Sequence, residues 1–443
     1  MIRSFARLAV LAVAILFLAV ATMARATEVV RVVSPGGIEA WLVEAHEIPV
    51  LSVEIAFRGG ASRDPKGREG LANMVSGLLD EGAGDYPSQA YQARIEDLAI
   101  HLGFDANQDS FSASLKTLSE NTAAAFEMLR LALGEPRFDD QPVARIRRQI
   151  QAGLARRTED PDYVARRTWF STAFPNHPYG RPVEGTPDSV AAITKADLKG
   201  FMADQIARDR MVIGVVGDIT AERLATLLDQ TFGGLPAVGG DRVVADTTPA
   251  GAGRVIVVER DIPQSVVLFG QRGLRRKDAD FYAAYVMNRI LGGGGFTSRL
   301  TAEVREKRGL AYGVYTYLSP YDHAALYLGR VATQNGRVAE SLTVIRAEIA
   351  RLRDHGASAA ELADAKTYLT GSFPLRLDSN GKIANLLVGI QLQDLGIDYI
   401  DRRNGYIEAV TLDDVNRVAA SLLDPDSLLV VVVGKPAGIK ATN

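Results

Sequence analysis

The 443-residue sequence has no cysteine and only five histidines. Without cysteine there is no disulfide scaffold, thiolate zinc site, iron–sulfur cluster or cysteine nucleophile. His46, His101, His177, His323 and His355 never fall within twenty residues of one another, so no local His pair is available to hold a metal. Excess charge is also missing. Fifty Lys and Arg oppose fifty-three Asp and Glu, a net charge of −3, and no basic field invites nucleic acid. Beyond the first residues no apolar run approaches membrane-spanning length. There is no G-x-S-x-G, no H-E-x-x-H, and no G-x-G-x-x-G between a strand and a helix. What remains is ordinary globular composition, 47% hydrophobic and 23% charged, which excludes a disordered or fibrous chain. At about 150 residues per domain, the length suggests two to four units.

The chain opens with a leader. Arg3 and Arg7 precede an apolar run over 8–21, and Ala24-Arg25-Ala26 offers the small residues of a cleavage site. This pattern reads as a secretory signal over 1–26, preferred to an uncleaved membrane anchor because the run is short for a span. The expected destination is the periplasm, an oxidising compartment that suits a chain free of cysteine.

The rest of the sequence is written twice. Ile48-Pro49 recurs as Ile262-Pro263, each pair inside a β-rich stretch. Thr194 stands where it would cap a helix, and Thr411 does the same 217 residues later. Each helix leads to a hydrophobic strand ending in glycine, at Gly217 and at Gly434, again 217 residues apart. We therefore expect an N-terminal domain over 27–237, a Gly- and Pro-bearing linker over 238–253, and a C-terminal domain over 254–443. Helical periodicity is expected over 70–79, 115–134 and 142–157, and over 282–291, 337–352, 359–369 and 380–392. Strands and helices mixed without strict alternation predict an α+β fold. It would comprise two homologous mixed α/β domains related by a pseudo-twofold, each a β-sheet packed with helices.

Several strings carry a resemblance. Gly59-Gly60-Ala61-Ser62-Arg63-Asp64 is followed by Gly70-Leu71-Ala72, and later come Gly134-Glu135-Pro136-Arg137-Phe138 and His177-Pro178-Tyr179-Gly180-Arg181-Pro182 with Gly185-Thr186. The second half contributes LGGGGFTSRL over 291–300 and VREKRGLAY over 304–312. In order and spacing these strings resemble the pitrilysin/insulinase family of zinc peptidases, in its short two-domain form.

The resemblance implies an inverted zinc motif, H-x-x-E-H, on a helix after residue 72. Its two histidines, at i and i+4, share one face, and its Glu acts as general base. A further Glu on a later helix completes the ligand set. Here those positions hold Asn73, Ser76, Gly77 and, for the distal Glu, Gly153. Asn and Ser are poor zinc ligands and Gly has no side chain. Asp80, Glu81 and His101 do not rebuild three ligands with a base. No metal is expected in this chain.

The resemblance also implies an Arg and a Tyr, seven residues apart on the second domain, that reach toward the zinc-bearing domain and handle substrate. Arg305 and Tyr312 match this spacing. An Arg fork donates to a peptide carbonyl, and a Tyr hydroxyl stabilises a developing oxyanion. The competing reading pairs Arg305 with Glu303 or Glu306 and packs Tyr312 in a strand; the intact surrounding string favours the functional one. Gly292, Gly293, Gly294 and Gly295 lack the Gly-Lys-Ser/Thr of a P-loop. The resemblance makes them a flexible loop at a chamber entrance; the plainer reading is a helix-terminating loop. His177, in a loop before Pro178, reads as structural. The arginines at 145, 147, 148, 156, 157, 166 and 167 read as a solvated or partner-facing surface rather than a polyanion site.

The expectation is a non-catalytic, substrate-binding subunit of an exported zinc metallopeptidase acting on peptides. It would form a heterodimer with an H-x-x-E-H-bearing family member, which holds the zinc while this chain supplies Arg305 and Tyr312. The alternative is a catalytically inactive, peptidase-like binding or scaffold protein of a larger envelope assembly.

Overall fold

A computed structural model describes residues 28–295 and 297–442; the expected leader lies outside them. In the first half the strands are β1 (Val30–Val33), β2 (Glu39–Glu44), β3 (Val50–Arg58), the short pair β4 (Gly82–Ala83) and β5 (Tyr86–Pro87), β6 (His101–Ala106), β7 (Ser110–Leu118) and β8 (Met211–Gly217). In the second they are β9 (Val255–Glu259), β10 (Gln264–Arg272), β11 (Ala311–Pro320), β12 (Ala325–Gln334) and β13 (Leu429–Gly434). The first sheet runs β1-β2-β8-β3-β7-β6 and the second β11-β12-β10-β13-β9. β2 is parallel to β8 and β9 to β13; the other neighbours are antiparallel. With β1 set aside, β2-β8-β3-β7-β6 maps strand by strand onto β9-β13-β10-β12-β11. The repeat in the sequence is a repeat of sheet topology.

Local chemistry explains why both halves fold alike. Thr194 and Thr411 each build a capping box. Each hydroxyl accepts from the amide three residues on, that of Asp197 or Asp414, whose carboxylate accepts in return from the threonine amide. These boxes start the helices Lys195–Gln205 and Leu412–Leu422. Gly217 and Gly434 end β8 and β13 at φ values of 138° and 147°. A Cβ at Gly217 would stand 2.2 Å from the Val50 carbonyl oxygen, and one at Gly434 2.3 Å from Ser265 Oγ. Glycine meets both demands.

Each sheet buries one face in its own core, through Leu51, Val53, Ile55 and Phe57 in the first domain and Val267 and Phe269 in the second. Over the opposite faces the domains exchange helices. Pro161–Ala173, from the first half, lies on β10 and β13 and buries Ala165, Trp169 and Ala173 against Val266, Leu268, Val431 and Val433. Asn380–Leu392, from the second half, lies on β3 and β8 and buries Ile383, Ala384 and Leu387 against Trp41, Val43 and Val216. A polar bond fixes each crossing. Trp169 Nε1 donates to the Leu429 carbonyl at 3.0 Å, and Gln391 Nε2 to the Ile213 carbonyl at 2.9 Å. The chain between the helix Ala221–Phe232 and β9 has no regular element. It is stitched to both sides: Arg210 donates to the Gly240 carbonyl, Thr247 N to His323 O and Ala250 N to Ala173 O.

Two helical expectations are corrected. The stretch 115–134 is not one helix: β7 runs to Leu118, and the helix is Thr122–Gly134. Phe111, Ala113, Leu115 and Thr117 are buried in strict alternation, and a period of two makes a strand. The helix expected over 70–79 closes as Leu71–Ser76. Gly77, a weak helix former, ends it, and the chain tightens into turns from Leu78 N to Val75 O and Glu81 N to Leu78 O. Among the described residues no helix is long and apolar enough to cross a membrane.

Candidate functional site

The helix at the family's metal position is set by a buried acid. Asp64 accepts from Gly70 N at 3.0 Å and Ala72 N at 3.1 Å, capping Leu71–Ser76. Burial pushes its carboxyl up to about 7, against the pull of those amides. Asn73, Ser76 and Gly77 are half-buried. Ser76 Oγ donates to the Asn73 carbonyl at 2.9 Å. A Cβ at Gly77 would stand 3.3 Å from Ile146 Cγ2 on the helix Asp140–Arg157, so an apolar side chain closes against the position. Gly153 lies on that same helix, and a Cβ there would meet nothing within 4 Å. Glu81 is engaged by Arg145 and by Ser88 Oγ. His101 opens the edge strand β6, exposed. Among the described residues no three His, Cys, Asp or Glu side chains gather to hold a metal ion. An amide, a hydroxyl and two glycines do not fit zinc.

The second domain is equipped differently. Thr301–Glu306 forms a π-helical turn, a rare geometry found often at functional sites. From it the Arg305 guanidinium lies over the Tyr312 ring, 4.7 Å from the centroid, within cation–π range. Glu303, one of the alternative partners for Arg305, is buried and held by Lys307 at 2.6 Å and Arg308 at 2.5 Å. Those two cations bring its carboxyl down to about 2. Tyr312 is 86% exposed. It sits on a bulge, where the register of β11 against β12 shifts between Ala311 and Val314; bulges re-aim side chains in this way.

The glycine loop meets β11 and the π-helical turn. Gly292 closes the helix Phe281–Leu291, and its carbonyl accepts from Thr316 N at 2.9 Å on the outer edge of β11. A Cβ at Gly292 would stand 2.6 Å from Thr316 Oγ1. Gly293 lies as tightly against Asn288, and Gly294 and Gly295 take φ values of 92° and 78°. Arg289 donates to the Gly294 carbonyl and to Thr297 Oγ1 at 3.0 Å, and Thr301 Oγ1 donates to Gly295 O at 3.3 Å. These bonds tie the loop to the edge of β11 and to the turn that carries Arg305.

Residues 41–187 match the family "Insulinase (Peptidase family M16)", and residues 192–369 match "Peptidase M16 inactive domain". The chain belongs to peptidase family M16. It is 27% identical over 376 residues to the "Non-peptidase homolog YmxG" of Helicobacter pylori, covering 84% of this chain and 86% of that one. It is also 27% identical over 406 residues to an "Uncharacterized zinc protease" of Mycobacterium leprae, covering 90% and 91%. The crystal structure of a peptidase M16 inactive domain from Pseudomonas fluorescens superposes with a TM-score of 0.87 at 28% identity, covering 94% of this chain and all of that one. The chain is thus similar both to a non-peptidase homolog and to a zinc protease-like protein, and its own zinc-motif positions hold Asn73, Ser76, Gly77 and Gly153.

In this M16 chain His177 does structural work. Its Nδ1 accepts from Tyr179 N at 3.2 Å and its Nε2 donates to the Ala245 carbonyl at 2.8 Å, which ties the motif loop to the interdomain segment. Tyr179 OH donates to Asp109 at 2.6 Å and accepts from His323 N at 2.9 Å, while Asp322 N donates to Asp109 at 3.1 Å. The β6–β7 and β11–β12 tips thus meet, and burial lifts Asp109 to about 6. Several of the clustered arginines are stitches: Arg147 donates to the carbonyls of Val190 and Ile193, Arg157 pairs with Glu184, and Arg167 donates to the Gly180 carbonyl. Sequence reasoning missed Tyr163, Tyr315 and Tyr317, which line a cleft with Arg166. The spacing Tyr315-x-Tyr317, which places both rings on one face of a strand, was the available signal.

Proposed function

We propose that this M16 chain is the non-catalytic, substrate-binding subunit of an exported, periplasmic zinc metallopeptidase. Its partner is a family member with an intact H-x-x-E-H motif, which holds the zinc; the heterodimer acts on peptides. One observation carries the reading. Tyr312 stands exposed with Arg305 stacked over it, in a chain whose own metal positions offer no ligands. A surface tyrosine held in this way has no part in the core. It is suited to present its hydroxyl to an oxyanion, while the guanidinium donates to a peptide carbonyl.

The test mixes the purified chain with an exported H-x-x-E-H relative and follows cleavage of a fluorogenic peptide. The chain alone is expected to cleave nothing and to bind no stoichiometric zinc. In the mixture, Arg305→Ala or Tyr312→Phe should lower turnover by about 10²–10³-fold, as loss of one oxyanion donor does, with assembly by gel filtration unchanged. Cleavage indifferent to both substitutions would remove the assigned role.

A further inference from the structure

A groove on the second domain has no part in the roles assigned so far. The crossing helix Pro161–Ala173 covers β10 and β13 and leaves the face of β11 open beside it, where Tyr315 and Tyr317 remain 40% and 39% exposed. Between these rings and Tyr163 and Arg166 of the helix lies a cleft of about 440 Å³, floored by Val266 and Leu268. Tyr163 and Arg166 also border an adjoining cleft of about 190 Å³, together with Phe170, Tyr179 and Tyr321. Arg166 therefore stands at the junction of two aromatic clefts.

The charge lining the two clefts is positive on balance, with Arg157, Arg166, Arg167, Arg181 and Arg330 against Asp160, Asp162 and Glu184. The Arg166 side chain is 63% exposed, and its nearest carboxylate, Glu184, is 3.8 Å away and already engaged by Arg157. The other acids of the groove are occupied. Arg330 grips both oxygens of Asp162, and Asp160 accepts from Asp162 N to cap the helix. The Arg166 guanidinium faces solvent among tyrosine rings, with the exposed Asp160 on the same cleft.

The duplicated half shows that the fold does not demand this. Leu268, Arg330 and Tyr315 stand in line across β10, β12 and β11. The matching line in the first domain is Glu54, Ser114 and Gly103. One step along, Asp105 stands where Tyr317 does. The aromatic and cationic set belongs to one domain only.

We propose that this groove binds an extended peptide carrying an acidic side chain. The carboxylate pairs with Arg166, and the apolar or aromatic neighbours of the acid rest on Tyr163, Tyr315 and Tyr317. The proposal rests on the peptide-binding reading above. Tyr315 is three residues, about 10 Å, along β11 from Tyr312, so a peptide held at the Arg/Tyr pair has the groove within reach of its next few residues.

The test uses the whole chain without a partner and fluorescence anisotropy. The probes are a labelled decapeptide with one central glutamate flanked by leucine and phenylalanine, and its glutamine counterpart. The glutamate peptide is expected to bind about tenfold tighter, the effect of one charge-assisted hydrogen bond. Arg166→Gln should bring the ratio to one. Tyr315→Ser with Tyr317→Ser should weaken both peptides alike. Arg305→Ala should leave the ratio intact. A ratio of one in the unsubstituted chain, or a ratio that survives Arg166→Gln, overturns the proposal. The two readings fail separately: a ratio of one with cleavage still sensitive to Arg305→Ala removes the groove and spares the subunit, and the converse result removes the subunit reading and leaves an acidic-peptide site.

Discussion

The two domains share five strands in one order, the same capping box and the same strand-ending glycine, yet they differ wherever side chains meet solvent. Where the family places its metal, the first domain carries Asn73, Ser76, Gly77 and Gly153, with Ile146 packed against one of them. The second carries a tied glycine loop, the stacked Arg305 and Tyr312, and a tyrosine-lined groove. The features common to both halves are those the backbone requires: a cap for orphan amides, a residue with positive φ, a helix over an apolar sheet face. The features found in one half are those the backbone tolerates. Comparing a chain with its own repeat therefore separates folding determinants from candidate binding residues.

Three measurements test how far this symmetry reaches. The largest effect is expected from the exchanged helices. Trp169 is fully buried, and Trp169→Ala removes its packing and its bond to the Leu429 carbonyl, for a loss of about 3–5 kcal/mol. Leu387→Ala in the reciprocal helix should cost about 2–5 kcal/mol. Because each helix completes the other domain, both variants should melt in one calorimetric transition; two separated transitions would break the picture of interlocked halves.

The strand-ending glycines come next. Alanine at either position forces a left-handed backbone, costing about 1–2 kcal/mol. Gly217→Ala also meets a backbone carbonyl, that of Val50, at 2.2 Å, whereas at Gly434 the nearest atom is a side-chain oxygen and the nearest backbone atom, Ser265 Cα, stands at 2.9 Å. Urea unfolding should rank Gly217→Ala as the more damaging; the reverse order would mean that the two corners are not equivalent.

The third measurement is a pH dependence, to which the most strongly shifted acids of the two halves contribute with opposite sign. Burial lifts Glu54 and Asp64 to about 7 and Asp109 to about 6, all in the first domain. These groups hold protons more tightly when folded, so their contribution is fully present below about pH 4 and is lost as pH rises through 6 and 7. In the second domain, Lys307 and Arg308 hold Glu303, and Arg299 holds Glu361, down to about 2. These contribute above about pH 4.5 and fail only as pH falls toward 2. The urea midpoint should therefore lie higher at pH 5 than at pH 8; a midpoint that climbs over that interval would contradict the burial assigned to Glu54 and Asp64.

Much of this was legible in the sequence because it is local. Threonine three residues before aspartate announces a capping box, glycine after a run of valines announces a corner, and Asn73 and Gly77 cannot imitate histidine. Strands were harder. In β7, serine alternates with buried apolar residues, and 115–118 joined a neighbouring apolar run that did form a helix. The helix exchange left no local trace, since an apolar stripe such as Ala165-Trp169-Ala173 states that something is buried without saying against which sheet. Tyr315 and Tyr317 became conspicuous only when the register set them opposite Arg330 and Leu328, where the first domain has Gly103 and Asp105.

The crossing of Asn380–Leu392 onto the first sheet also sets an order of events during synthesis. The first domain has all its strands once Gly217 is made, yet Trp41, Val43 and Val216 stay bare on one face until residue 392 has followed. At about 5–20 residues per second, that wait is on the order of 10–30 seconds. Through it, a nearly finished sheet presents its greasy side to whatever surrounds the nascent chain. A chain with this wiring needs an escort or a fast second half, and cutting it at the interdomain segment would yield two fragments that each lack part of their own cover.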